Sequence, residues 1–528
     1  MPAQTGNNTD ALDASVESTL HPSIHLSWRR NLLASPLLRL PTELILKIFA
    51  HVIELDDAGD DNSRRPCGWT LLILTTICRQ LREIGTMSPQ LWSSVDFTSL
   101  PIAELFLERC KYDPCTLIIK ESGPRRPRAA HDPRRGAAWE KLEGRTFHNL
   151  RSLVFEGTER EFTLRVISVL HRAPNVSNLD LNNISYRPSQ ELSQLVSHPI
   201  PNLSTLRLHN FSIYWTSPHL RNLIRLTLGS DRDRFPPERA PIEMFLTALA
   251  NCPNLEILDL THTGPEALNG HQNKCDVVVQ LCRLRELSLK FHNPSTVGRI
   301  LSHIEYPEST RLAVYVPAGI YTDLSETISQ VLPHRNVQAI QHFRNSTALT
   351  IYLDDHPQFF TDNLLVHFQK PYGQEPYFRS QRNPKNLARL ASKIVEVIGG
   401  DTVISLNIEA RGDGPPGGMW GALLHGLPWL ERIRYHRKPG GGNQKFVHSF
   451  IPVFSRPSEG GSVCPWLQHL ELPRALLTLD SAAILKLALT ERNARGGRLK
   501  RIGISDDATE VYDRLVLEQF RDLVGEVE

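Results

Sequence analysis

Between Pro41 and Ile53 the apolar residues Leu44, Ile45, Ile48, Phe49, Val52 and Ile53 recur at helical spacing, which predicts an amphipathic helix with one broad apolar stripe. Pro41 has no N–H to lose and suits the first turn, and Thr42 and Glu43 place polar and acidic character where the helix dipole favours it. The charged, Gly/Pro-punctuated run from Glu54 to Gly68 reads as a loop. "WTLLILTTICRQLREIG" then predicts a second helix, with Leu74, Ile77, Cys78, Leu81 and Ile84 inward, Arg79, Gln80, Arg82 and Glu83 opposite, and Gly85 closing it. "MSPQLWSSVDF" is too short for an amphipathic helix of its own and offers Leu91, Trp92, Val95 and Phe97 as plugs for the bundle end. Residues 1–34 are polar and aperiodic, which predicts a disordered tail ahead of a small helical module over 35–97. Two adjacent apolar columns on the opening helix exceed what so small a module needs for its own core, and a surplus of this kind predicts a partner.

After Phe97 the pattern changes to L-x-x-L-x-L. It occurs at Leu150/Leu153/Phe155, Val176/Leu179/Leu181, Leu203/Leu206/Leu208, Leu223/Leu226/Leu228, Leu255/Leu258/Leu260 and Leu284/Leu287/Leu289. It returns at Val403/Leu406/Ile408, Leu430/Ile433/Tyr435, Leu467/Leu470/Leu472 and Leu499/Ile502/Ile504. The first six start positions are 26, 27, 20, 32 and 29 residues apart, and helix-like segments such as "PIEMFLTALANCP" fill the intervals. This predicts a repeated strand–turn–helix unit whose apolar face is covered only by stacking, so that 98–528 forms one continuous domain. The signal fades over 308–401, where "RLAVYV" and "LTIYLDD" read as strands and the segment His356 to Asn383 reads as irregular or inserted.

"LPTELILKIF" (40–49), "ICRQLREI" (77–84) and "SPQLWSSVDF" (88–97) together resemble the F-box family as it occurs in large fungal repertoires. Two features depart from that pattern: the Glu54–Gly68 loop is longer than usual, and Leu81 stands where the family usually has Trp. The resemblance implies a three-helix docking domain that binds a Skp-type adaptor and through it joins a cullin-RING ubiquitin ligase. Carried onto this chain, it assigns adaptor contact to Leu40, Pro41, Leu44, Ile45, Ile48 and Phe49, and a mainly structural role to Ile77, Cys78 and Leu81. The later repeats resemble leucine-rich repeats of the F-box type, although Ile184 and Phe211 occupy the usual Asn/Cys position and Asn183 and Asn210 fall one place early. The expected fold is therefore α/β: a small N-terminal helical F-box module followed by an irregular leucine-rich-repeat solenoid.

Composition narrows the function classes. Among 528 residues, 59 Lys and Arg face 57 Asp and Glu, so overall charge nominates neither nucleic acid nor a membrane surface as partner. The eight cysteines are scattered without a CxxC, and Cys110 and Cys115 read as reduced thiols. No secretory signal pattern or long apolar run occurs, which predicts a cytoplasmic or nuclear protein. Gly412, Gly414 and Gly417 match GxGxxG, yet Pro415 and Pro416 sit inside the turn and favour a plain loop over a dinucleotide site. "KPGGGNQKF" lacks the Lys-Ser/Thr ending of a phosphate loop and also reads as a loop. The run at 124–136, with Arg125, Arg126, Arg128, Arg134 and Arg135, has no interleaved aromatics and reads as a solvated loop. Histidines such as His209 are dispersed, and no catalytic motif, metal or cofactor is expected. The x positions of the last repeats, which point into the concave side of the expected solenoid, collect Arg432, Arg434, His436, His469, Lys500 and Arg501, candidates for holding an acidic or phosphorylated segment of a target protein. The expected function is a substrate-recognition subunit of an SCF-type ligase; the alternative is a ligase-independent interaction scaffold whose helical module merely caps the first repeat.

Overall fold

Among the described residues the first helical element is a short 3-10 turn, Leu37–Arg39, that delivers the chain to Pro41, whose carbonyl accepts from the backbone N–H groups of Leu44 and Ile45. The computed structural model describes residues 35–57, 68–97, 99–110, 115–120, 147–157, 166, 168–183, 200–211, 215–230, 241–265, 277–291, 293–316, 330–331, 347–354, 363–369, 377–381, 387–410, 415–437, 444–455, 457–458, 461–472, 479–504 and 518–527. The expected tail over 1–34, the Arg-rich run 124–136, most of the Glu54–Gly68 loop, Gly412 and Gly414 lie outside them. The chain divides into two compact units, Met1–Arg187 with Ile200–Leu203, and Pro188–Pro199 with Ser204–Glu528.

In the first unit, α1 (Thr42–Asp57), α2 (Trp69–Ile77) and α3 (Arg79–Thr86) pack on one another. The single second helix expected from "WTLLILTTICRQLREIG" is two, broken at Cys78, whose backbone is extended (φ −154°, ψ 166°). The break has a local cause. The Thr75 and Thr76 hydroxyls donate back to the Leu72 and Ile73 carbonyls at 2.8 and 2.7 Å, and Arg82 Nε donates to the Thr75 carbonyl at 3.1 Å. Of the carbonyls that a continuing helix would use, that of Thr75 is thus taken by Arg82, while the two hydroxyls bond carbonyls one turn back. Gly85 lies inside α3 rather than after it, and its lack of a side chain serves packing: one there would meet the Thr75 methyl at 2.7 Å and approach the Phe49 ring at 3.5 Å. The three helices converge at that point.

Trp92 then anchors the bundle to the α/β part of the same unit. Its indole Nε1–H donates to the Gly85 carbonyl at 2.8 Å, its ring meets Phe106 edge-on at 4.8 Å, and the Arg109 guanidinium lies 4.4 Å over it. Strands β1 (Ser94–Asp96), β2 (Thr116–Lys120), β3 (Ser152–Gly157) and β4 (Asn178–Asn183) pair in parallel in that order, and α4 (Leu100–Arg109) packs on β1. Cys110 and Cys115 are free thiols.

The second unit runs through β5 (Thr205–His209), β6 (Arg225–Gly229), α5 (Ile242–Ala250), β7 (Ile257–Thr261), β8 (Val279–Gln280), β9 (Glu286–Lys290), α6 (Pro294–Ser302), β10 (Ile304–Glu305) and β11 (Arg311–Val316). It continues through β12 (Ala348–Asp354), β13 (Asn363–Gln369), β14 (Tyr377–Gln381), α7 (Leu387–Ile398), β15 (Ser405–Ala410), α8 (Gly417–Gly426), β16 (Arg432–Arg437) and α9 (Gln444–Phe454). The last elements are β17 (Pro457–Ser458), β18 (Gly461–Ser462), β19 (His469–Leu472), α10 (Leu479–Ala494), β20 (Arg501–Ile504) and β21 (Glu526–Val527). The paired strands follow the order β5–β6–β7–β9–β11–β14–β13–β12–β15–β16–β19–β20–β21. The leucines of the repeated triplets lie on the buried side of these strands, as the alternation requires. Helices α7, α8, α9 and α10 pack on each other in sequence, around a Trp420–Phe450 edge contact at 4.8 Å and a Phe450–Phe454 stack at 5.2 Å.

The α/β class holds, but the expectation of one leucine-rich-repeat solenoid is corrected. The chain divides into two units inside the stretch assigned to the solenoid, and the sheet of the second unit is mixed. Strand β13 runs antiparallel to both β12 and β14, inside the stretch read as irregular, so chain order reverses between β11 and β15. The triplet pattern dictates strands and their buried face, whereas connections of unequal length carry no matching instruction for a uniform repeat. A smaller correction falls in "KPGGGNQKF", where Gln444 to Phe446 belong to α9 rather than to a loop.

Candidate functional site

The six residues assigned to adaptor contact do not share one face. Ile45 and Phe49 are 0% and 1% exposed and form the core of the bundle, while Leu44 and Ile48 are 43% and 36% exposed. A helix advances about 100° per residue, so the column at 45 and 49 turns inward and the column at 44 and 48 stays outside. Pro41 is exposed ahead of α1, and Leu40 is half-buried after the 3-10 turn, which Gln80 ties down by donating to the Leu38 carbonyl at 3.2 Å.

The structure adds a second exposed stripe, on α2. Trp69, Ile73 and Ile77, spaced four residues apart, are 40%, 44% and 61% exposed, while Leu71 and Thr75 face the bundle. Of the three residues read as structural, Leu81 is buried and Cys78 half-buried, but Ile77 faces solvent because α2 ends there and the chain turns away. Trp69 and Ile73 are missed by the sequence reading. The available signal is that Trp69 to Leu74 holds no charged residue at all: a helix with apolar groups on every side needs a cover on every side. Leu44, Ile48, Trp69, Ile73 and Ile77 therefore give two apolar stripes on two helices packed against each other.

In the second unit the structure brings the target-binding candidates together. The parallel register places Arg432 beside His469, His469 beside Arg501, and Arg501 beside Glu526. Arg432 and Arg501 are exposed, and Lys500, also exposed, precedes β20. Two residues along the strands, Arg434 Nε donates to Glu471 Oε2 at 2.5 Å. His436 is displaced from this group, lying further along β16 opposite Glu409 of β15. The His469 imidazole is held below its ordinary range by partial burial, then by Arg501, Arg432 and Lys500, with Glu431 alone opposing. The local field is therefore positive.

No protein-family model matches the chain, and no curated protein resembles it significantly. Among the described residues no group of three or more His, Cys, Asp or Glu side chains could hold a metal ion, and no helix is long and apolar enough to cross a membrane. Gly417 begins α8, where a side chain would press on the Ser449 carbonyl at 3.2 Å; its role there is helix packing. The one perturbed carboxyl among the described residues, Asp259 on β7, is pushed up mainly by burial, against a hydrogen bond from Ser288. Its Oδ1 is buried without a partner, and β5, β6 and β9 set Arg207, Thr227 and Ser288 in the same row. That row contains no thiol, lysine or histidine that would act with a carboxyl as a nucleophile–base pair.

Proposed function

We propose that this chain is the substrate receptor of a cullin-RING ubiquitin ligase, docking a Skp-type adaptor through α1 and α2 and presenting a target protein held by its second unit. The observation that carries this reading is the pair of exposed apolar stripes, Leu44/Ile48 and Trp69/Ile73/Ile77, in a module already supplied with a core by Ile45, Phe49, Leu71, Leu81 and Trp92. Large apolar residues at helical spacing that the fold leaves in solvent fit a helix-packing partner. The resemblance of residues 40–49 and 77–97 to the F-box family supplies the identity of that partner. In this role the chain contributes proximity and no catalytic group: tethering raises the effective concentration of the target beside the ubiquitin carrier.

The test is a titration of the full chain with a purified Skp-type adaptor. Saturable binding that disappears in Leu44→Glu with Ile48→Glu, while the thermal unfolding midpoint stays near that of the parent, supports the reading. No binding by the parent chain removes it and leaves the scaffold role, in which α1 and α2 serve only the chain's own fold.

A further inference from the structure

Two of the largest apolar side chains of the second unit are each about half exposed and lie against one another. Trp429 and Trp466 are 47% and 53% exposed and stacked, with ring centroids 5.7 Å apart and planes 16° from parallel. Each precedes its strand by three residues, Trp429 before Arg432 at the start of β16 and Trp466 before His469 at the start of β19. The aromatic pair therefore sits at the rim where the chain enters β16 and β19, which carry Arg432 and His469, the first two members of the row Arg432–His469–Arg501. Exposed Trp and Arg placed together are the side chains that dominate protein-recognition energetics.

Spacing and charge narrow the occupant. Arg432 and Arg501 lie on strands separated by one intervening strand, so their backbones are about 9.6 Å apart. A polyproline II segment places every third residue on the same side at intervals of about 9.3 Å, and aromatic-lined surfaces receive such segments. One phosphate draws cations inward onto a single point, whereas these two arginines are spread along a row with a neutral imidazole between them. Lys500 adds to the positive side and Glu471 is taken up by Arg434, while Glu431 next to Arg432 and Glu526 beside Arg501 place one carboxylate at each end of the row.

We propose that this rim and row bind an acidic, proline-containing segment of a partner protein in polyproline II form, prolines on the Trp429–Trp466 pair and carboxylates three residues apart on Arg432 and Arg501. The surface lies within the second unit and needs no adaptor, so the proposal goes beyond the docking role and stands or falls separately from it.

The probe is a fluorescently labelled peptide of repeated Glu-Pro-Pro, titrated with the full chain and followed by anisotropy. A Lys-Pro-Pro peptide, a phosphoserine-Pro-Pro peptide and a single-stranded RNA are run beside it. The Glu peptide is expected to bind, to lose affinity as salt is raised, and to be preferred over the other three. Arg432→Gln with Arg501→Gln, and separately Trp429→Ala with Trp466→Ala, are each expected to weaken it by about tenfold or more, since both pairs are exposed and their removal spares the core. Adaptor binding measured on the same preparations should not change. Equal binding of the Lys peptide, preference for the phosphopeptide or the RNA, or unchanged affinity in either double variant overturns the proposal; the first two need no variant to fold.

Discussion

Replacing Ile73 and Ile77 of α2 by Gln tests whether the exposed stripe is a docking surface. Their exposures of 44% and 61% amount to roughly one whole isoleucine of apolar surface that an adaptor would cover. Burying such a side chain contributes about 1.5 to 3 kcal/mol, so the double substitution should weaken adaptor binding by roughly 10- to 150-fold. Gln keeps the length of the stem, and the inward residues of α2, Leu71 and Thr75, are untouched. Stability should therefore change by no more than about 1 kcal/mol. The opposite pattern is expected one column away: Ile45→Ala or Phe49→Ala, at 0% and 1% exposure, should cost about 2 to 5 kcal/mol of stability. Calorimetric titration with purified adaptor and urea unfolding measure the two quantities on the same samples. If Ile73→Gln with Ile77→Gln binds as tightly as the parent at unchanged stability, the α2 stripe has another purpose and the docking argument fails.

Buried polar groups give three further expected outcomes. Trp92→Phe withdraws the donor from the Gly85 carbonyl and trims the ring against Phe106, so urea denaturation should show a loss of about 1 to 2 kcal/mol. Arg492, 1% exposed, donates from its two terminal nitrogens to the Val463 and Cys464 carbonyls, both at 2.6 Å, and stacks over Phe454. Arg492→Lys keeps the charge but not the fork, and should lower stability by about 2 kcal/mol or more in the same assay. Asp259 is held above its ordinary 3.8 by burial, so the folded state binds its proton more tightly than the unfolded state does. Its favourable term is present below pH 3.8 and is lost as pH rises through the folded value; Asp259→Asn should therefore raise the unfolding midpoint at pH 7, with the gain vanishing toward pH 3.8. A midpoint that is unchanged at pH 7 would show that Asp259 carries no desolvation penalty.

The part of the fold legible in the sequence is the part that side-chain alternation governs. The L-x-x-L-x-L triplets fall on strands or their approaches, with the apolar positions from Leu150 to Ile502 inward, because a period of two fixes a face regardless of the neighbours. The break at Cys78 was not legible, since the Arg82 side chain that takes the Thr75 carbonyl in place of a continuing helix comes from the next element. The split of α1 into Ile45/Phe49 and Leu44/Ile48 was half legible: two columns can be counted in the sequence, but which one turns inward is set by where Gly85 admits α3. The antiparallel passage through β13 was hidden because the segment carries no leucine triplet, although β12, β13 and β14 pair as consecutive neighbours in the chain.

The same reasoning explains why the candidate surfaces sit where sequence rules fail. Strand leucines and bundle cores are each satisfied by the fold, so their spacing and their burial agree. Trp69, Ile73 and Ile77, and the Trp429–Trp466 pair, are apolar at positions where the fold leaves them in water. The area of these groups that stays exposed is exposed in the unfolded chain as well and contributes nothing to folding, so consistency across levels breaks at these positions. Both surfaces escape the sequence pattern for one reason: apolar spacing implies an inward face, and only the packed neighbours show which apolar residues have none.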